Sequence, residues 1–363
     1  MKQKSFDKLL FIAVIITGLF GIVMIYSASY IWAEYKFHDP YKFVKNQAFF
    51  FLLGIFLCLL ISHIKPEFWK NHANQILGIC FVLLILVLIP GIGKVRNGSR
   101  SWFGFGGLGI QPSEFCKIGL TLFVSKYLSS NKKYLKSIVH GVFPIMIVIG
   151  IFFLLIMLEP DFGTAMVIVL TLISLIFISG VKLSFFVKIG ILGILGVVML
   201  IVVAPYRMER IVSYLNPWSD PLGSGFQIIQ SLYAIGPGGL LGQGFLNSHQ
   251  KHFYLPEPQT DFIFSVISEE FGFLGVLLVV SFFFFVFYRS VKIALKTNDL
   301  FSKFLVFGLS IGILIQAVLN LSVVIGLIPV TGVTLPFFSY GGSSLMVTMI
   351  SIGIILSVSR TTT

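Results

Sequence analysis

Long apolar runs alternate with short polar intervals over nearly the whole chain. The runs are about 17 to 25 residues long, the length needed to cross a hydrocarbon core of roughly 30 Å at 1.5 Å per helical residue. The pattern predicts ten membrane-spanning helices, over residues 8–31, 45–63, 75–91, 113–130, 141–158, 164–180, 184–204, 262–288, 301–327 and 342–359. Barrel strands would instead alternate in short segments, so the predicted class is an all-α membrane protein forming one polytopic domain over 1–363. Most intervals are short, but 205–261 is a loop of more than fifty residues, too long to be a mere link. Within it Phe226, Ile229, Leu232 and Tyr233 share one face of a short helix with Gln227 and Gln230 beside them, and the pattern predicts that this helix lies at the membrane surface.

Composition agrees with a bilayer setting: 56% of the 363 residues are hydrophobic and 11% charged. Counting Lys and Arg by interval sets the orientation, because basic residues are retained on the cytoplasmic side. With both termini inside, the inner segments hold 16 of them and the outer ones nine, which places the 205–261 loop outside, between the seventh and eighth spans. The net charge of +12 is then a lipid-headgroup feature and implies no nucleic-acid partner. Cys58, Cys80 and Cys116 fall within spans, without CxxC or paired His spacing, so neither a disulfide framework nor a zinc site is indicated.

Ionisable residues inside spans are expensive and mark sites. Projected at 100° per residue, Asp261, Ser265, Ser268, Gly272 and Gly275 lie within about 40° of one helix face, Glu269 about 80° away, and Glu270 opposite, positioned to pair with a neighbouring helix. A second polar stripe runs along the fourth span through Glu114, Lys117, Thr121 and Ser125. Two such faces are expected to pack toward a common cavity open to the outer side. Each also has a plainer reading: Asp261 as a helix cap, Glu114 with Lys117 as a structural ion pair, and Arg207 and Arg210 as interfacial anchors. Three outer helix ends repeat one local pattern, a Pro after Gln or Glu and then an acid: "QPSEF" at Gln111, "EPDFG" at Glu159 and "EPQTDF" at Glu257.

These blocks, with "YSAS" at Tyr26, "NGSRSW" at Asn97, "APYRMERI" at Ala204, "NPWSDPLGSGFQIIQSLYAIGPGGLLGQG" at Asn216 and "GLIPVTGVTLPFFSYGGSS" at Gly326, resemble the SEDS family (FtsW, RodA and SpoVE) in order and along the whole chain. Details such as "NPW" and "SHQKHFYLPE" look more like FtsW and SpoVE than RodA. The resemblance implies a ten-span peptidoglycan glycosyltransferase of the bacterial cytoplasmic membrane. It would join lipid II, an undecaprenyl-pyrophosphate disaccharide-pentapeptide, into glycan strands on the outer face. The implied partner is a class B penicillin-binding protein, and the implied location a septum or forespore membrane. The essential acid of the family maps to Asp261, and the acid and lysine of "QPSEF..K" map to Glu114 and Lys117. Pro258 and Gln259 stand where many members have Ala-His, leaving Asp261 in place.

The chemistry so implied needs a base for the incoming hydroxyl and positive charge for the departing pyrophosphate. Asp261 is the candidate base. Lys117, Arg207, Arg210 and Arg100 are candidates for binding pyrophosphate, with Glu114 holding Lys117, and an outer divalent ion is a further possible source of charge. Glu269, Ser265, Ser268, Asp161 and Gln227 are candidate supporting residues. The competing class is a lipid II flippase, since polar stripes in a bundle also suit translocation of a polar headgroup, but a flippase needs polar groups through the whole membrane depth and here they gather toward the outer side.

Overall fold

The computed structural model describes residues 5–96, 98–105, 108–135, 137, 141–203, 214–223 and 225–362. Helices occupy all ten predicted positions: α1 (Lys8–Phe37), α2 (Lys42–Ile61), α3 (Pro66–Leu88), α4 (Pro112–Ser130), α5 (Phe143–Leu158), α6 (Phe162–Ile178), α7 (Leu183–Val203), α9 (Ile263–Lys296), α10 (Leu300–Val324) and α11 (Gly342–Thr362), with the loop helix α8 (Phe226–Ile235) between α7 and α9. Their starts follow local chemistry. Asp7 and Asp299 accept backbone N–H groups of Leu10 and Ser302 at 3.0 and 2.9 Å, and Pro opens α3 and α4.

Six of these helices, α1, α2, α3, α9, α10 and α11, are long and apolar enough to cross a membrane. Helices α4, α5 and α6 fall short for identifiable reasons. Helices α5 and α6 have 16 and 17 residues, only about 24 to 26 Å at 1.5 Å per residue. Helix α4 carries Glu114 and Lys117 and is buried on most sides by α3, α6 and α10, so protein rather than lipid surrounds it. Helix α10 lies at the centre, touching α4, α6, α9 and α11, while α11 runs along α2. Two cores result, one drawn mainly from α1, α2, α9, α10 and α11, the other mainly from α3 to α7, with Ile118 and Leu122 of α4 in the first and Phe304 of α10 in the second. Helix α7 joins the second core through Phe185, with Phe186 and Ile189 packed against it, and is exposed along its described side chains from Ile191 to Met199.

The structure corrects the sequence reading in three places. The segment after α3 departs from the all-α expectation by forming a three-stranded antiparallel sheet, β1 (Lys94–Arg96), β2 (Ser99–Phe105) and β3 (Leu108–Ile110), with Arg96 opposite Ser99 and Phe103 opposite Ile110. Alternating Ser, Arg, Trp and Phe around glycines is hairpin chemistry. On α8 the buried face is Ile228, Ile229, Ser231 and Ala234, whereas Leu232 and Tyr233, expected on one apolar face with Ile229, are exposed. Helix α9 is broken at Gly272, which takes φ +59° and ψ −151°.

The break has a clear cause. Any Cβ at Gly272 would lie 2.5 Å from the Gly242 nitrogen and 2.6 Å from the Gly238 carbonyl, because the glycine-rich loop between α8 and α9 is wedged against it. That loop supplies the hydrogen bonds the helix loses: Gln243 N to Glu269 O at 2.8 Å, Gly244 N to Glu270 O at 3.0 Å, and Phe273 N to Gly239 O at 2.9 Å. Backbone groups at a helix break must find partners when buried, and here a loop provides them. A uniform 100° projection from Asp261 to Gly275 therefore fails at both ends, since Asp261 precedes the helix and Gly272 interrupts it.

Candidate active site

Asp261 sits two residues before α9. The cap position falls on Phe262, without a side-chain capping bond, so Asp261 is not a helix cap. Its backbone carbonyl accepts Asn320 Nδ2 at 2.7 Å, and the same amide donates to Val333 O at 2.7 Å. Its carboxylate faces Gly332, whose φ of +72° no side chain adopts readily; a Cβ there would lie 3.7 Å from Asp261 Oδ2. Burial, together with the like charges of Glu257 and Asp161, raises the Asp261 pKa to about 6. No salt bridge joins it to a cation among the described residues.

One turn away on α10, Gln316 reaches the second polar stripe. Lys117 Nζ donates to Glu114 Oε1 at 2.8 Å and to Gln316 Oε1 at 2.7 Å. Gln316 Nε2 donates to Thr334 O at 3.0 Å and Ser344 Oγ at 3.2 Å. The expected pairing of Glu114 with Lys117 is present, and Glu114 Oε2 has no partner. Below Lys117 a cavity of about 30 Å³ is lined by Thr121, Thr171, Gly312, Gln316 and Ser351, roomy enough for one water by the usual measure.

Asp161 completes the cluster. It caps α6 by accepting Thr164 N at 3.0 Å, and Gln111 Nε2 and Ser113 Oγ donate to its other oxygen at 2.7 and 3.3 Å. Burial is the main cause raising its pKa; Glu114 adds to the rise and Lys117 opposes it. The three Pro-acid patterns of the sequence thus converge, with Gln111 and Ser113 of the first bonded to Asp161 of the second and Asp161 acting on Asp261 of the third. Glu159, fully buried with both carboxylate oxygens unpartnered, is pushed up to about 8 by burial and by Asp161. Ser99 of β2 donates to its backbone carbonyl.

Other candidates lie elsewhere. Arg100, on β2, makes a long 3.5 Å contact to Leu88 O at the end of α3, where a cation suits the carbonyl end of a helix. Arg207 and Arg210 lie outside the described residues. Glu269 does not face Asp261: it is buried, accepting Ser248 Oγ at 2.6 Å and His249 N at 2.7 Å, and so moors the loop between α8 and α9. Ser265 bonds Ser231 of α8 at 2.8 Å and Ser268 bonds Phe264 O at 2.8 Å, so neither lines an open face. Gln227 is half-buried on α8. Glu270 pairs as expected with a neighbouring helix, through Ser27 of α1 at 2.5 Å, and also with Lys251 at 2.8 Å, both side chains of that ion pair being fully buried.

Lys251, Gln316 and Asn320 were missed. Lys251 reads in sequence as one more outer-loop lysine. Gln316 and Asn320 carried a signal, two amides four residues apart in an otherwise apolar span, which places both on one helix face. No three His, Cys, Asp or Glu side chains among the described residues form a metal-ligand group.

The fold and this cluster define a multi-pass membrane protein with a half-buried acid and a half-buried lysine near one end of its bundle. A family model described as "Cell cycle protein" (FtsW, RodA, SpoVE) matches residues 7–363, and the chain belongs to that family. It is 50% identical to "Stage V sporulation protein E" of Bacillus subtilis (strain 168) over 359 residues, 99% of this chain and 98% of that protein. It is 39% identical to "Probable peptidoglycan glycosyltransferase FtsW" of Geobacter sp. (strain M18), over 99% of this chain and 98% of that one. Among solved structures, a chain of a peptidoglycan synthase complex described as coordinating polymerization and crosslinking aligns with TM-score 0.78 and 30% identity, covering 98% of each chain. Thermus thermophilus RodA aligns with TM-score 0.69 and 28% identity, over 98% of this chain and 97% of that one.

Proposed function

We propose that this chain polymerises lipid II into glycan strands on the outer face of the bacterial cytoplasmic membrane, alongside a class B penicillin-binding protein, in septum or forespore synthesis. Both termini are inside and 205–261 is outside in this reading. The observation that carries it is Asp261: an acid with a pKa near 6, bridged to no described cation, held one α10 turn from the amide that grips Lys117. A general base works best when its pKa lies near the working pH.

The acceptor's N-acetylglucosamine 4-hydroxyl gives its proton to the Asp261 carboxylate as its oxygen attacks the donor's anomeric carbon. The bond from that carbon to the pyrophosphate oxygen breaks, the lipid pyrophosphate departs with the electron pair, and the configuration inverts. Lys117 supplies positive charge to the departing oxygens, and Glu114 with Gln316 holds its ammonium in place. Arg207 and Arg210 are assigned to the same anion. An outer divalent ion is a further candidate for that charge; the steps here are carried by side chains.

The test is purified chain with its transpeptidase partner and labelled lipid II in detergent, with strands resolved on a gel. Detergent removes the two compartments a flippase needs, so strand formation identifies a polymerase. Wild-type protein that makes none while moving lipid II across proteoliposomes would establish the flippase instead. A fluorescent fusion that avoids septa and forespores would reject the assigned location.

A further inference from the structure

Gln316 and Asn320 are wholly or nearly wholly buried on α10, at 4% and 0% exposure. A buried amide is costly unless hydrogen-bonded, and the sequence retains two of them a single turn apart. Their orientations are fixed by chemistry. An ammonium can only donate, so the atom of Gln316 that meets Lys117 must be its oxygen, leaving the nitrogen to Thr334 and Ser344. Asn320 meets two backbone carbonyls, so both contacts must come from its nitrogen, which spends its two hydrogens on Asp261 O and Val333 O.

We propose that Gln316 and Asn320 are positioning residues that set where the Lys117 ammonium and the Asp261 carboxylate stand relative to each other. The inference rests on the polymerase reading and goes beyond it by assigning roles to two residues that neither touch the reacting atoms nor belong to the motifs. Both side chains project from the same rigid helix, with backbone positions about 6 Å apart at four residues of 1.5 Å rise. Both also grip the 331–334 segment, Asn320 at Val333 O and Gln316 at Thr334 O, which carries Gly332 across the face of the Asp261 carboxylate. The lysine, the aspartate and the segment beside it thus hang from one element.

The consequence for Lys117 is specific. Of its three N–H donors, one goes to Glu114 and one to Gln316, and the third is directed by those two anchors. Losing Gln316 leaves an ammonium held at one point on a flexible stem, free to fold onto Glu114. A phosphate oxygen arriving at the site then meets a cation that is no longer aimed. Gln316 therefore acts on substrate binding through Lys117, whereas Asn320 acts on the base and so on turnover.

A double-mutant cycle tests this. Gln316→Met keeps the length and removes the acceptor; Lys117→Met removes the cation. Lipid II binding is measured for wild type, both single variants and the double variant, with thermal melting in detergent alongside. The expected result is a roughly tenfold weaker Kd for Gln316→Met and no further weakening when it is added to Lys117→Met, the non-additivity of residues acting as a unit. Costs that add in full would mean that Gln316 merely supports the fold, and would overturn the proposal for it. Asn320→Ala is expected to lower kcat about tenfold while lipid II Kd stays within about twofold; an unchanged kcat in folded protein, or a loss entirely in Kd, would overturn it there. Because binding is read without turnover, wild-type chain that binds lipid II but forms no strands would sink the polymerase reading while leaving the Lys117 cycle decided.

Discussion

Replacing Asp261 with Asn should abolish turnover and yet make the protein more stable, and the two effects have one origin. The ordinary carboxylate value of 3.8 is raised to about 6 by burial and by the charges of Glu257 and Asp161. A folded-state pKa above the unfolded one means that the folded protein disfavours the ionised form. The cost is absent below pH 3.8, grows between 3.8 and 6, and is complete above 6. At about 1.4 kcal/mol per unit, the shift of roughly two units sets a ceiling near 3 kcal/mol; partial exposure to solvent brings the expected figure to about 1 to 3 kcal/mol. Asn removes the charge and the cost together. Melting in detergent at pH 8 should therefore show Asp261→Asn above wild type, with the gap closing toward pH 4. Strand synthesis by wild type should fall about tenfold from pH 7 to pH 5 as a group titrating near 6 is protonated, whereas an unshifted carboxylate would lose almost nothing. A variant that melts no higher than wild type at pH 8, or a wild-type rate flat down to pH 5, would refute the reasoning.

Breaking the buried pair by Lys251→Met should destabilise the protein by about 3 to 5 kcal/mol, because it strands Glu270 without its cation; adding Glu270→Gln should recover part of that loss, and chemical denaturation followed by circular dichroism measures both. Gly332→Ala should cost about 1 to 2 kcal/mol for its left-handed backbone. It should cost more in strand synthesis than in stability, since its methyl group would stand 3.7 Å from Asp261 Oδ2; equal losses would remove the steric reading. Glu159, with a pKa near 8, holds its proton at pH 7, so Glu159→Gln should retain activity there within about twofold. Stability of the wild type should fall between pH 4.5 and 8 as only the unfolded chain ionises at this position, and that slope should flatten in Glu159→Gln.

Helix positions were legible in the sequence because apolar length is a direct consequence of bilayer thickness. Every predicted span contains a helix, though the ends moved: α9 runs to Lys296, beyond the predicted 288, because a long helix with Arg289 and Lys292 near its end can continue past the hydrocarbon edge. The errors arose where contacts between distant segments override local pattern. Gly272 reads as one small residue on a polar face, and only the loop pressed against it forces the break. Leu232 and Tyr233 read by periodicity as sharing one apolar face with Ile229, but α8 turns Ile228 and Ala234 toward α9 and α10 instead.

The candidate site was legible in its charges and not in its amides. A carboxylate or ammonium inside a membrane announces itself, because burying a charge needs a reason; Asp261, Glu114 and Lys117 stood out on that ground, and Asp161 through its Pro-acid pattern. The same logic misled for Glu269, whose reason turned out to be three donors on residues 248–250. Charge alone therefore locates a buried polar region without saying which face it serves. What separates the two carboxylate roles is the state of their partners. Glu269 is saturated by hydroxyl and backbone donors and is unavailable for proton transfer, whereas Asp261 is anchored through its backbone and leaves its carboxylate beside a glycine. An acid intended as a base must be held in place without being hydrogen-bonded into inertness; Asp261 and Glu159 are both anchored through their main chains, and a pKa near 6 against one near 8 leaves Asp261 as the one that is ionised at pH 7.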